Sequence, residues 1–300
     1  MGVNKLSTIQ IGTEEEYTLK QEKDYVAKWE QAGLADDFAF GEVMKRGNSG
    51  LNLLRAIYPN LNITGIGKVN AQEEIRQSRQ GHDVVLDLYF EDDQRRIFDV
   101  EMQRENRKGF WSRIWHYLLY LESQALQKGE AYEDRRPVHL AFLMSYDAMK
   151  RNKRIYHSQI LFDDSEVPLK TSMTLLNSQG KVTEVTPELQ DVYHLMNGKD
   201  QAVVTPFGRH LSQEIELVKL DPQKERKYML YSLKIEEDLA DARAKEKREN
   251  AIAMAKQLFK IGFDVSEVRR NLEATFQRRL AVDEIDAIVK QAQQTQSKKS

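Results

Sequence analysis

The segment Asp83–Gln103 (DVVLDLYFEDDQRRIFDVEMQ) constrains this 300-residue chain more than any other. It holds two runs with strict two-residue alternation on either side of a polar turn, the pattern of a β-hairpin. Side chains alternate across a strand, so Val84, Leu86, Leu88 and Phe90 share one face of the first run. Phe98, Val100 and Met102 share one face of the second. Centring the turn on Gln94 pairs Phe90 with Phe98, Leu88 with Val100 and Leu86 with Met102. A one-residue slip would set apolar against polar throughout, so the register is specified. The opposite face carries Val85, Asp87, Tyr89, Asp99, Glu101 and Gln103. There Asp87 stands directly across from Glu101, with Cβ atoms about 5 Å apart.

Two facing carboxylates repel unless something compensates. A divalent cation would do so, and an all-oxygen donor set suits Mg²⁺ or Mn²⁺ rather than zinc. Such a site can activate a water and stabilise a leaving oxygen at phosphorus. Gln103 cannot act as a base, but it can orient a water or bond a phosphate oxygen. The same acids could also be ordinary polar residues on the wet side of an antiparallel sheet. Their depletion from strands in general counts against that reading.

Around the hairpin, the spacing predicts helices from Asp36 or Asp37 to Met44, over Leu51–Tyr58 and over Phe110–Lys128. The hairpin strands are expected at Asp83–Phe90 and Arg96–Gln103, and further strands at Asn62–Val69, Pro137–Ser145 and Arg154–Phe162. This is an α/β domain built on one mixed sheet with flanking helices. Beyond Gly208 only Gly262 interrupts the chain, and no proline follows Pro222, so the last third reads as helical. Glu236–Glu249 mixes charges without an apolar stripe and reads as a solvated helix. Ser266 with Glu267, and Asp283 with Glu284, supply helix-start chemistry for a helical end suited to self-association. Three parts result: a charged lead-in over 1–34 with no evident role, a mixed domain over 35–235, and a charged helical extension over 236–300.

The balance of 45 Lys and Arg against 47 Asp and Glu excludes a uniformly basic surface, so any affinity for polyanions must be local. Arg104, Arg107, Lys108 and Arg113 form such a local field beside the acids, and phosphate contacts of this kind set affinity without reading sequence. Arg113, Tyr117, Tyr120 and Gln124 fall near one helix face that could look toward the acids. Phe110 and Trp111 could stack on bases, but core packing is the favoured role. The chain has no cysteine, which removes disulfides, thiolate zinc sites and cysteine nucleophiles and suits a cytoplasmic setting. No apolar run reaches membrane-spanning length and no secretory pattern opens the chain. The six histidines show no metal-ligand spacing, and no phosphate-binding glycine loop is present.

On these residues the chain resembles the PD-(D/E)XK nuclease superfamily, and within it the Rpn-type recombination-promoting nuclease/putative transposase family. The matching runs are Leu86-Asp-Leu-Tyr-Phe-Glu-Asp and Ile97-Phe-Asp-Val-Glu-Met-Gln, with Val-Glu-Met-Gln the most specific element. Asp36-Asp-Phe-Ala-Phe-Gly-Glu-Val-Met matches the opening helix, and Arg113, Tyr117, Gly129 and Tyr132 match a spaced set after the second strand. The resemblance spans about residues 36–235. It implies a Mg²⁺- or Mn²⁺-dependent DNA endonuclease, with Asp87 and Glu101 as metal-binding catalytic acids. Gln103 stands where the wider superfamily has lysine, and Glu42 where some members place an extra metal-binding acid. Val85 replaces a basic residue usual in relatives. The rival expectation is a non-catalytic DNA-binding or protein-interaction module on the same scaffold, because Gln103 lacks the lysine charge.

Overall fold

At its turn end the hairpin takes the expected register. In the computed structural model, which describes residues 14–67, 70–75, 84–106, 108–158, 161–163, 165–166, 170–276 and 280–297, Phe90 pairs with Phe98 and Tyr89 with Asp99. The turn is stapled by Asp92, whose carboxylate accepts from the amides of Gln94 and Arg96 and pairs with the Arg96 guanidinium.

Three helices precede or flank the first strands: α1 (Glu14–Gln31), α2 (Asp37–Met44) and α3 (Ser49–Ile57). Strands β1 (Asn70–Ile75), β2 (Val84–Glu91) and β3 (Ile97–Gln103) run antiparallel. Helix α4 (Phe110–Gln124) then crosses over to β4 (Val138–Met144), which lies parallel to β3. Next come β5 (Ile155–His157), a small separate pair β6 (Leu161–Phe162) and β7 (Ser165–Glu166), and β8 (Thr171–Asn177). Among the described residues the main sheet has six strands in the order β1-β2-β3-β4-β8-β5, with β4 and β8 parallel and β5 antiparallel to β8. Helices α5 (Pro187–Met196), α6 (Pro206–Lys219), α7 (Pro222–Lys260), α8 (Val265–Thr275) and α9 (Val282–Ser297) complete the chain. The result is a mixed α/β fold with a helical C-terminal region.

Helices cover both faces of the sheet. Phe110, Ile114 and Leu121 of α4 bury against Val138, Leu140, Phe142 and Met144 of β4. On the other face, Tyr58 after α3 packs on Phe98 and His139 at ring distances of 5.6 and 5.3 Å. Helix α3 lies so close to β2 that a Cβ on Gly50 would fall 2.7 Å from the Phe90 ring. Only glycine fits that contact.

Several expectations need correction. The lead-in is not featureless: α1 buries Tyr25 and Trp29, with Trp29 against Phe38 and Tyr228. Residues 62–67 form no strand beyond one bridge at Ile66; side chains take the carbonyls of Asn62, Ile63 and Thr64 instead. The edge strand starts at Asn70, and residues 68–69 lie outside the described residues. Helix α4 stops at Gln124, four residues early. Of Arg154–Phe162 only Ile155–His157 joins the main sheet, and residues 159–160 lie outside the description. Strand β8 is not among the expected strands. Its Ser172 bonds the His139 ring at 2.7 Å inside the sheet.

The chain divides into two compact units, 1–228 and 229–300. Within the second, Ala251 and Ala255 bury with Val268 and Leu272 of α8 and Ile285 and Ile288 of α9. Residues 236–249 are exposed throughout, as their charge mixture requires. Helix α8 is started by Asp264 in a capping box with Glu267, not by Ser266. No described helix is long and apolar enough to cross a membrane.

Candidate active site

Toward the open end of the hairpin, past Tyr89 and Asp99, carboxylates bind amides across the two strands. The Asp87 amide donates to Glu101 Oε1 at 2.9 Å, and the Met102 amide donates to Asp87 Oδ2 at 2.7 Å. Each acid thus ties the other's strand. Alternation alone places Asp87, Glu101 and Gln103 on one face, and these two bonds hold the acids at close quarters.

That face is not half-exposed, as the alternation suggested. Helix α4 roofs it, so Asp99 is fully buried, Glu101 is 1% exposed and Gln103 7%, while Asp87 stays half-buried. Burial pushes the carboxyls of Asp99 and Glu101 well above the ordinary range. The charge of Asp87 adds to both, and Asp99 adds further to Glu101. Among the described residues no group meets full hydrogen-bond geometry with either oxygen of Asp99, although the Glu101 side chain and the Val100 amide lie near enough to lower its carboxyl. Three carboxyls this close and this buried cannot all ionise without a counter-charge beside them.

The roof contributes two of the expected residues. Arg113 Nη1 lies 3.4 Å from Gln103 Oε1, and its charge lowers the carboxyl of Glu101. Its guanidinium also sits 5.7 Å from the centre of the Tyr117 ring. Tyr117 packs on Phe142, and its hydroxyl is pushed far up, first by burial and then by the Glu101 charge. It stays protonated at any working pH. The Gln103 amide nitrogen donates to the Met102 carbonyl at 2.8 Å.

Other expected residues stand elsewhere. Glu42 gives its two oxygens to Lys45 and Lys224, which neutralise it, so it is not an open metal ligand. Arg104 follows Gln103 by one pleat, points to the opposite face and lies near Asp36. Lys108 is exposed in the turn before α4, and Arg107 lies outside the described residues. Phe110 is core, but Trp111 is 48% exposed, because the next helix position turns outward. Asp99 had no assigned role in the sequence reading, although alternation already placed it beside Glu101.

No group of three His, Cys, Asp or Glu side chains among the described residues is arranged to hold a metal ion. The donor set nevertheless fits a hard divalent cation: the ligands are all oxygens, and the crowded carboxyls need a counter-charge in order to ionise. Two carboxylates with water or phosphate oxygens are a usual magnesium arrangement.

Residues 35–177 match the family model of the PD-(D/E)XK nuclease family transposases. No curated protein and no solved structure gives a significant match to the chain.

Proposed function

We propose that this chain, whose residues 35–177 belong to the PD-(D/E)XK nuclease family transposases, is a divalent-metal-dependent endonuclease that hydrolyses phosphodiester bonds in DNA. Its place would be in recombination or the movement of mobile elements. The observation that carries the reading is the pair Asp87 and Glu101, cross-bonded between β2 and β3 in a buried, oxygen-lined site.

In this reading Asp87 and Glu101 hold a Mg²⁺ or Mn²⁺ ion. When bound, the ion would lower the pKa of a water and neutralise charge on the scissile phosphate. Gln103 orients the attacking water or a phosphate oxygen through its amide. Arg113 brings to Gln103 the positive charge that glutamine lacks, and stabilises added negative charge on phosphorus. Tyr117, kept protonated, donates a hydrogen bond rather than accepting a proton. Cytoplasmic residence suits a chain without cysteine, and the helical second unit suits self-association.

Nicking of supercoiled plasmid tests the proposal. Wild-type protein nicks with Mg²⁺ and stops with chelator, whereas Asp87→Asn and Glu101→Gln do not nick. Equal nicking by all three after stringent purification refutes it. A second reading, a non-cleaving DNA-binding module, draws on the Gln103 amide being engaged by the Met102 carbonyl. Intact DNA binding with no heat of Mn²⁺ binding would favour it.

A further inference from the structure

The proposed function uses the charge of Arg113 but leaves a larger concentration of cations unexplained. It lies in the two loops that follow β4 and β8. Strands β3, β4 and β8 are parallel and in step, with Gln103, Met144 and Asn177 at matching ends. Both loops therefore leave the sheet at the end that carries Gln103. The first is joined to it directly, because the Ser145 amide donates to the Gln103 carbonyl at 3.0 Å. At strand spacings of about 5 Å, the second loop starts roughly 10 Å from Gln103.

These loops are built rigidly. Asp147, the only acid between Ser145 and Ser158, accepts from the amides of Met149, Lys150 and Asn152 and from the Tyr156 hydroxyl. That hub holds Lys150 and Asn152 at φ of 54° and 58°, a left-handed conformation that costs free energy outside glycine. The second loop fits flush on the first. The amides of Lys181 and Val182 donate to the Asn152 carbonyl, and a Cβ on Gly180 would lie 2.5 Å from the Lys153 carbonyl oxygen.

What this framework presents is positive charge. Lys150, Arg151, Lys153 and Lys181 are exposed, and among the described residues none has an ion-pair partner. Asp147 is consumed by the loop itself. Glu184 is the single exposed acid of the second loop. In a chain with net charge −2, such a grouping is a local departure. Fixing flexible cations on an ordered loop lowers the entropy lost when they meet a regularly spaced polyanion.

We propose that these two loops form a rail that grips the DNA backbone at the sheet end that carries Gln103, with Lys150, Arg151, Lys153 and Lys181 each contacting a phosphate and Arg151 and Lys153 standing toward the residues that follow α3. This deepens the nuclease reading by naming where the duplex lies, and it moves the main phosphate contacts away from Arg104. Phosphates recur about every 3.4 Å along a strand, so the rail spans several of them.

The test is binding of a fluorescent DNA duplex in chelator, over a salt series, so that cleavage plays no part. The variant combines Lys150→Asn, Arg151→Gln and Lys153→Gln; asparagine tolerates the left-handed position. A control combines Lys245→Gln, Lys247→Gln and Arg248→Gln on the exposed helix. The loop variant should bind about tenfold more weakly or worse near 0.1 M salt, with its log–log salt slope reduced by about 2.7, or 0.9 for each of three contacts. The control should keep the wild-type slope. Where nicking is measured, KM rises and kcat at saturating DNA does not change. An unchanged slope in the loop variant, an equal loss in the control, or no duplex binding by wild type overturns the inference. Nicking with an unchanged slope would refute the rail and spare the nuclease reading. A reduced slope without nicking in any variant would do the reverse.

Discussion

Replacing Asp87 by alanine and by asparagine should give two proteins of different stability, although both lose the same charge. Each substitution relieves the burial-raised carboxyls of Glu101 and Asp99 of a neighbouring negative charge, and that gain is common to both. The difference lies in one bond. The Met102 amide, in a residue 1% exposed, donates to Asp87 Oδ2 at 2.7 Å. Asparagine keeps an oxygen there and alanine does not. Leaving a buried amide without an acceptor costs about 1–3 kcal/mol. We therefore expect Asp87→Ala to be about 1–3 kcal/mol less stable than Asp87→Asn in urea denaturation under chelator. In a unit of this size each kcal/mol corresponds to about 2–4 °C in melting temperature. Agreement of the two variants within about 0.5 kcal/mol would refute the cross-strand bond, and with it the geometry that brings the acids together. Asparagine, rather than alanine, is thus the substitution that isolates charge in an activity assay.

Two further outcomes follow from packing and burial. His139 is held near neutral by burial and by the Arg96 charge, which push it down to about 4. The unfolded chain binds more protons between about pH 6.5 and 4, so stability is present above that window and falls by about 3 kcal/mol on descending through it. His139→Gln should flatten this part of the acid limb in a pH series of urea melts, and an unchanged slope would count against it. Gly50→Ala places a methyl 2.7 Å from the Phe90 ring and should cost about 1–3 kcal/mol by overpacking, read as a lowered urea midpoint. A neutral result would mean that α3 is not seated so tightly on β2.

Much of this architecture could be read from the chain because its signals are local. Phe90 and Phe98 pair as the alternation expects, and beyond them the bonds from the Asp87 and Met102 amides to the facing carboxylates bring the two acids together. Asp36 caps α2 through the Ala39 amide, as its position before an apolar run suggests. What escaped depends on contacts distant in sequence. Alternation cannot tell which face a crossover helix will cover, so the burial of Glu101 and Gln103 under α4 was not legible. Trp29 reveals the role of α1 only through Phe38 and Tyr228, the latter nearly 200 positions away. Strand β8 hides because its hydroxyls serve distant side chains rather than solvent, Ser172 the His139 ring and Thr171 the Glu122 carboxylate. Arg104 looked close to the acids in sequence, yet one pleat turns it to the other face.

Isothermal titration of Mn²⁺ into chelator-treated protein tests most directly whether the hairpin acids gather a cation. Wild type should bind with measurable heat, and Asp87→Asn and Glu101→Gln should each lose at least about tenfold in affinity while retaining cooperative unfolding. Wild-type affinity in both folded variants, or no binding by wild type at all, would contradict the account.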